Sequence, residues 1–138
     1  AGRLSQSEEL GGGRGGAAII DAAPSNSAFD TVDITITTLD SLRDTFKAPI
    51  RFIKCDVEQH ELAVFQGATE LLKTDRPTVL VEIQKAHVER LTQLFSQFDY
   101  QGYFLVKDRK IPISDYQKYP YRKPNQIHRN YVFGPKTA

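Results

Sequence analysis

The stretch from Ile50 to Ile83 constrains the fold more than any other part of the chain, because two apolar runs of strand length flank a helical pattern. Ile50 to Val57 is apolar on both faces except for Arg51, Lys54 and Asp56, as expected of a parallel strand covered on both sides. Leu62, Phe65, Ala68, Leu71 and Leu72 then recur at helical spacing, which predicts an amphipathic helix from about Glu58 to Lys73, closed by Arg76-Pro77. Thr78 to Ile83 follows as a second buried strand. A strand, a helix and a strand in this order imply a crossover between parallel neighbours.

The alternation continues in both directions. Val32, Ile34 and Ile36 alternate with Asp33, Thr35 and Thr37, which predicts a strand over 31–37 with one buried face. Thr38 and Asp40 are placed to cap a short helix, Ser41 to Phe46, which Pro49 keeps from running further. Downstream, Val88, Leu91, Leu94, Phe95 and Phe98 mark another helix, and Tyr103 to Val106 and Asn130 to Phe133 two more strands. No helix separates that last pair, so antiparallel pairing is expected. Residues 1–30, with the run from Gly11 to Gly16, read as a flexible glycine-rich segment holding at most a short strand at Ala18 to Ile20. The glycines lack the Gly-Lys-Ser/Thr ending of a phosphate loop and the strand-to-helix setting of a dinucleotide fingerprint. The expected organisation is a flexible segment, 1–30, followed by one α/β unit, 31–138.

A chain of 138 residues has room for one hydrophobic core. Its single cysteine, Cys55, forms no internal bridge, and no apolar run is long enough to span a bilayer. With no leader pattern in view, the expectation is a cytoplasmic protein without a membrane partner. The chain begins at Ala1 and holds no methionine, so further sequence is expected upstream. Charge is polarised: residues 1–100 carry 10 Lys/Arg against 15 Asp/Glu, and residues 101–138 carry 8 against 2. The basic end interleaves Lys107, Arg109, Lys110, Lys118, Arg122, Lys123 and Arg129 with Tyr103, Tyr116, Tyr119, Tyr121 and Tyr131. Such a segment suits either a solvated connection between two strands or a surface for an anionic glycan or single-stranded nucleic acid, and a cover over an acceptor pocket fits its position better than nucleic acid does.

In open α/β sheets, ligands bind beyond the carboxyl ends of the parallel strands. Two groups of polar residues stand there. Lys54 and Asp56 fall on the same side of the first buried strand, with Cys55 opposite, and Glu82 and Gln84 close the second. Asp56, Glu58 and Glu61 are also where carboxylates favour a helix N-terminus, so capping and chemistry both remain open for them. Lys54 is expected to pair with Asp56. Cys55 beside His60 suggests a thiol nucleophile, against which a mid-strand cysteine is ordinarily buried and inert. His60, His87 and His128 lack ligand spacing, and one carboxylate at Asp56 makes no metal site, so no metal is expected.

Three segments carry a family resemblance. Phe52-Ile53-Lys54-Cys55-Asp56-Val57-Glu58-Gln59-His60-Glu61, continuing to Gly67-Ala68, resembles the FkbM methyltransferase segment I-K-I-D-V-E-G-x-E-x-x-V-L-x-G-A. Ile36-Thr37-Thr38-Leu39-Asp40-Ser41-Leu42 resembles that family's V-x-T-L-D-x-L, and Arg76-Pro77 to Glu82-Ile83 resembles its R-P-x-x-x-x-E-I strand. The likeness spans roughly residues 32–105. Gln59 stands where the family usually has glycine, and Cys55 where it has an aliphatic residue.

The resemblance implies an α/β, Rossmann-like class I methyltransferase fold, present as its C-terminal half: a mostly parallel sheet with helices, the last two strands antiparallel. It implies S-adenosylmethionine as cofactor and methyl transfer to a hydroxyl oxygen of a sugar or secondary metabolite. Asp56 and Glu58 are then the catalytic candidates, and Lys54, Glu82 and Gln84 the substrate-binding ones. The family's glycine-containing cofactor loop and ribose-binding carboxylate are expected upstream of Ala1, so this chain would hold the acceptor side without a complete cofactor site. Without the neighbouring half, the strand Ile50 to Val57 would present a bare edge. Its own strand Val32 to Thr37 or a second copy of the chain, giving a homodimer, is expected to cover it. The rival readings are a non-catalytic interaction module built on a degenerate half-domain and a glycan- or nucleic-acid-binding fragment using the basic end.

Overall fold

A computed structural model describes residues 2–6, 17–20, 30–57, 59–119 and 128–137. The chain divides into two units, Ala1–Thr37 and Thr38–Ala138. The smaller unit is an antiparallel three-stranded sheet in the order β2-β1-β3, with β1 (Gly2–Gln6) between β2 (Ala17–Ile20) and β3 (Asp30–Ile34). The short strand expected near Ala18 is there, and Gly2–Gln6 adds a strand that the sequence pattern did not announce. The strand expected over 31–37 stops at Ile34, and Ile36, expected on a buried face, is 52% exposed.

The larger unit is an α/β layer built on a five-stranded sheet, β4-β5-β8-β6-β7. Its strands are β4 (Phe52–Cys55), β5 (Thr78–Gln84), β6 (Tyr100–Val106), β7 (Arg109–Pro112) and β8 (His128–Pro135). Helices α1 (Glu61–Gln66) and α2 (Thr69–Thr74) follow β4, and α3 (Val88–Ser96) follows β5. The sheet is mixed rather than mostly parallel. Only β4 and β5 pair in parallel; β8 pairs antiparallel with both β5 and β6, and β7 pairs antiparallel with β6. These registers make β4, β5 and β6 run in one direction, with β8 inserted against them. Direction follows from the crossover helices, whereas adjacency depends on where the last strand returns. The antiparallel pairing expected of the last two strands holds between β6 and β8, and the Lys107-Asp108 turn adds the unforeseen β7.

The core lies on one face of this sheet. Val79, Val81 and Ile83 of β5 alternate as fully buried residues with half-exposed ones, and Tyr131 and Phe133 of β8 continue that buried face. Leu91 and Phe95 of α3 and Phe65 of α1 close over it. Phe95 is the hub: its ring stacks on Phe133 at 4.2 Å between centroids and meets Phe65 at 4.9 Å and Tyr100 at 5.5 Å. Each such side chain contributes about 1.5–3 kcal/mol by leaving water. The opposite face is open. Phe52 and Leu105 are 57% and 59% exposed there, so β4 is covered on one side only, contrary to its apolar composition.

One continuous helix from Glu58 to Lys73 is not formed. It breaks at Gly67-Ala68, although its apolar stripe runs across the break. The cause lies in the segment before β4, where a 3₁₀ helix, Asp40–Thr45, packs against α2. The Asp40 N–H donates to the Gly67 carbonyl at 2.9 Å, and a Cβ on Gly67 would lie 3.0 Å from the Thr38 side chain. The Asp40 carboxylate then accepts the N–H groups of Glu70 and Leu71, at 3.0 and 2.9 Å, and the Thr69 hydroxyl at 3.3 Å. Asp40 therefore caps α2 instead of its own short helix. Thr38 does cap locally, accepting the Ser41 N–H at 3.1 Å.

Candidate functional site

The carboxyl ends of β4 and β5 place the sequence-predicted residues. In the parallel register Lys54 lies beside Leu80 and Cys55 beside Val81, and Asp56 follows directly after β4. Lys54, Leu80, Glu82 and Gln84 share the open face of the sheet, because β5 buries the alternate residues Val79, Val81 and Ile83. The Lys54 ammonium stands 3.5 Å from the Asp56 carboxylate, as expected, and both are solvent-exposed. A pair of this kind contributes little to stability. Its interest is position: a carboxylate beyond the strand end with an ammonium behind it. Glu58 lies outside the described residues.

Asn130 joins this face from β8, paired with Glu82 across the antiparallel ladder. Sequence reasoning missed it. The strand Asn130 to Phe133 was legible, but its register against β5 was not, and no local pattern would have supplied it.

The turn from β4 into α1 is tight. Gln59 has φ 77°, in the left-handed region, at the position where the resembling segment has glycine. Its N–H donates to the Glu61 carboxylate at 3.1 Å, and Glu61 is buried in the first turn of α1. Glu61 thus serves the turn. Cys55, buried behind it, has its thiol pushed up to about 12, first by burial and then by the charges of Glu61 and Asp56. A thiol so held is protonated at neutral pH and is no nucleophile. Among the described residues no group of three or more His, Cys, Asp or Glu is arranged to hold a metal ion.

The basic end is partly built into the fold. Tyr131 is buried in the core, the Arg129 guanidinium lies 4.6 Å from the Phe104 ring centre and donates to the Tyr119 carbonyl, and Lys118 pairs with Asp115 at 2.8 Å. Tyr131 and Arg129 are thus occupied in packing rather than presented for stacking on bases. Tyr121, Arg122 and Lys123 lie outside the described residues.

The three resembling segments thus meet in space, Thr38 and Asp40 against Gly67 and α2, and β4 in parallel with β5, the strand that holds Glu82. The family model of the methyltransferase FkbM domain matches residues 6–105. The chain belongs to the FkbM methyltransferase family. No curated protein and no solved structure matches it. FkbM membership points to methyl transfer in general, and no helix among the described residues is long and apolar enough to cross a membrane.

Proposed function

We propose that the chain forms the acceptor side of a Rossmann-like FkbM domain, its C-terminal half, and that the reaction transfers a methyl group from S-adenosylmethionine to a hydroxyl oxygen of a sugar or secondary metabolite. The observation that carries this reading is that Lys54, Glu82 and Gln84 share one face of the parallel pair, with the Asp56 carboxylate 3.5 Å from Lys54 just beyond β4. The common direction of β4, β5 and β6 supports the half-domain.

The described residues suit the acceptor better than the cofactor. Their carboxylates and amide match hydroxyl groups, whereas the turn after β4 carries Gln59 and not the glycine that close approach of a nucleotide favours. When bound, the cofactor supplies the methyl group. The chain's own part is to hold the acceptor hydroxyl in line and to take its proton. Asp56 is the group we assign to accept that proton, with Lys54 fixing its direction and Glu58 as the other catalytic candidate. Glu82 and Gln84 hold neighbouring hydroxyls.

The test is a labelled-methyl assay with hydroxylated acceptors on the protein carrying this segment. Asp56→Asn, which keeps shape but accepts no proton, is expected to lower turnover about a hundredfold or more at unchanged melting temperature. Near-normal turnover with a lowered melting temperature would assign Asp56 to the fold instead.

The free edge of β4 is the second element of this reading. Of Val32 to Thr37, expected to cover it, Val32 to Ile34 instead belong to β3 and pair with β1. Beyond β4 no strand pairs among the described residues, and we propose that a second copy of the chain does so, forming a symmetric dimer. Light scattering should show a dimer and hydrogen exchange should show protected Phe52 to Cys55 amides. A monomer at high concentration with freely exchanging amides would refute the pairing.

A further inference from the structure

A second concave site lies at the other end of the same sheet. Arg51 immediately precedes β4, and Arg76 lies two residues before β5. Because β8 runs the opposite way, it delivers Gly134, Pro135 and then Lys136 to this same end. Three cations from three separate segments thereby line one cavity of about 510 Å³, together with the hydroxyl-bearing Thr78 and Thr137.

The floor and one wall are equally defined. Gly134 pairs with Gln101 across β6 and β8, and a Cβ placed on it would meet nothing within 4 Å. The missing side chain therefore leaves room for a ligand. Tyr103 and Val132, paired on the same face, give an apolar wall. The Lys110 ammonium lies 4.9 Å from the Tyr103 ring centre and adds positive charge near that wall.

Among the described residues little negative charge opposes these cations. Asp75, the carboxylate that feels Arg51, is buried and already held by Arg43 and by the Ile50 N–H. Asp99 stands 3.5 Å from Lys136 with both side chains exposed, a weak pair that an anion can displace. Arg76 gives one N–H to the Phe98 carbonyl and lies 5.7 Å from the Tyr100 ring centre, which fixes the guanidinium and leaves other donors. The Arg51 guanidinium has no hydrogen bond or ion pair among the described residues.

Planar guanidinium forks, an ammonium and hydroxyls around a concave floor match the oxygens of a phosphate group. We propose that this cavity binds a small phosphorylated molecule, with Arg51, Arg76 and Lys136 on the phosphate and Tyr103 and Val132 beside the organic part. The site lies at the opposite end of β5 from Glu82 and Gln84. The seven residues of β5 separate the two ends of the strand, roughly 20 Å at ordinary strand rise. The inference does not depend on the methyl-transfer reading.

Amide-resolved NMR titration of the 138-residue chain with phenyl phosphate, inorganic phosphate and benzyl alcohol tests it. Phenyl phosphate should give saturable shifts at Thr78, Gln101, Gly134 and Thr137, inorganic phosphate the same shifts at lower affinity, and benzyl alcohol none. Arg51→Gln should weaken phenyl phosphate about tenfold, the loss of one charge-assisted hydrogen bond. Gly134→Leu should abolish binding by filling the floor, at unchanged melting temperature. Should that variant fail to fold, Arg51→Gln, outside any strand, carries the test. Saturable binding that survives Arg51→Gln, or shifts that never saturate and spread over all basic residues, would overturn the site. Phenyl phosphate binding no tighter than inorganic phosphate would overturn the phosphate-ester assignment.

Discussion

Replacing Asp40 by alanine should cost the larger unit far more than an exposed-loop substitution, which usually stays within about 0.5 kcal/mol. Its carboxylate accepts from the N–H groups of Glu70 and Leu71 and from the Thr69 hydroxyl, while its own N–H holds the Gly67 carbonyl. Alanine keeps the last bond and removes the other three. Loss of a helix cap costs about 1 kcal/mol, up to 2. Leu71 is 1% exposed, so its amide loses its partner away from water, which costs about 1–3 kcal/mol by itself. Since the two estimates overlap, the expected loss is about 2–3 kcal/mol, or roughly 10–20 °C in melting temperature for a unit of this size. The Asp40→Asn variant retains one acceptor oxygen and should fall between the two. Urea unfolding followed by circular dichroism measures this directly: the midpoint should drop in the order wild type, Asp40→Asn, Asp40→Ala, with an unchanged slope. An alanine variant within about 0.5 kcal/mol of wild type would refute the assignment of Asp40 to α2.

Two further outcomes follow from the same unit. Gln59→Gly should raise the melting temperature by a few degrees, because relief of left-handed strain at φ 77°, about 1 kcal/mol or more, outweighs the added chain entropy of glycine, about 0.4–1 kcal/mol; a lower melting temperature would show that the turn is unstrained. Acid should destabilise the unit through Asp75, whose carboxyl is held below its ordinary value of 3.8, first by the Ile50 N–H, and then by Thr74 and Arg43. Its contribution is complete above that ordinary value and is lost as pH falls through the lower folded one. Asp75→Asn should therefore flatten the acid limb of stability against pH, and an unaltered limb would remove Asp75 from the account.

What the sequence disclosed was what local pattern can encode. Thr78 to Ile83 is an apolar run of strand length and the α3 segment repeats every three to four residues, and both elements form where those patterns place them. The break between α1 and α2 was illegible because Leu62, Phe65, Ala68 and Leu72 pack into one core from either side of it; the interruption is made by Asp40, a residue distant in the chain. The same distance misassigned the cap. Composition likewise could not reveal that β4 lacks cover on one face, since an apolar strand reads alike whether its second layer is present or not, and Phe52 shows only in three dimensions that it is bare.

At the site, alternation sufficed to bring Lys54 next to Asp56, but Asn130 required the register of β8. Gln59 joins the two levels. Resemblance singled it out as a departure from the family pattern, at the turn into the helix. The φ of 77° gives that departure its physical meaning: the turn into α1 needs a left-handed residue whatever side chain stands there, so the family's glycine is the unstrained choice and glutamine fits only under constraint. The Gln59 N–H to Glu61 bond supplies that constraint. It follows that Glu61, although buried next to the candidate site, acts on it through the shape of the turn that carries Asp56, and that its removal should disturb the position of Asp56 before it disturbs any chemistry.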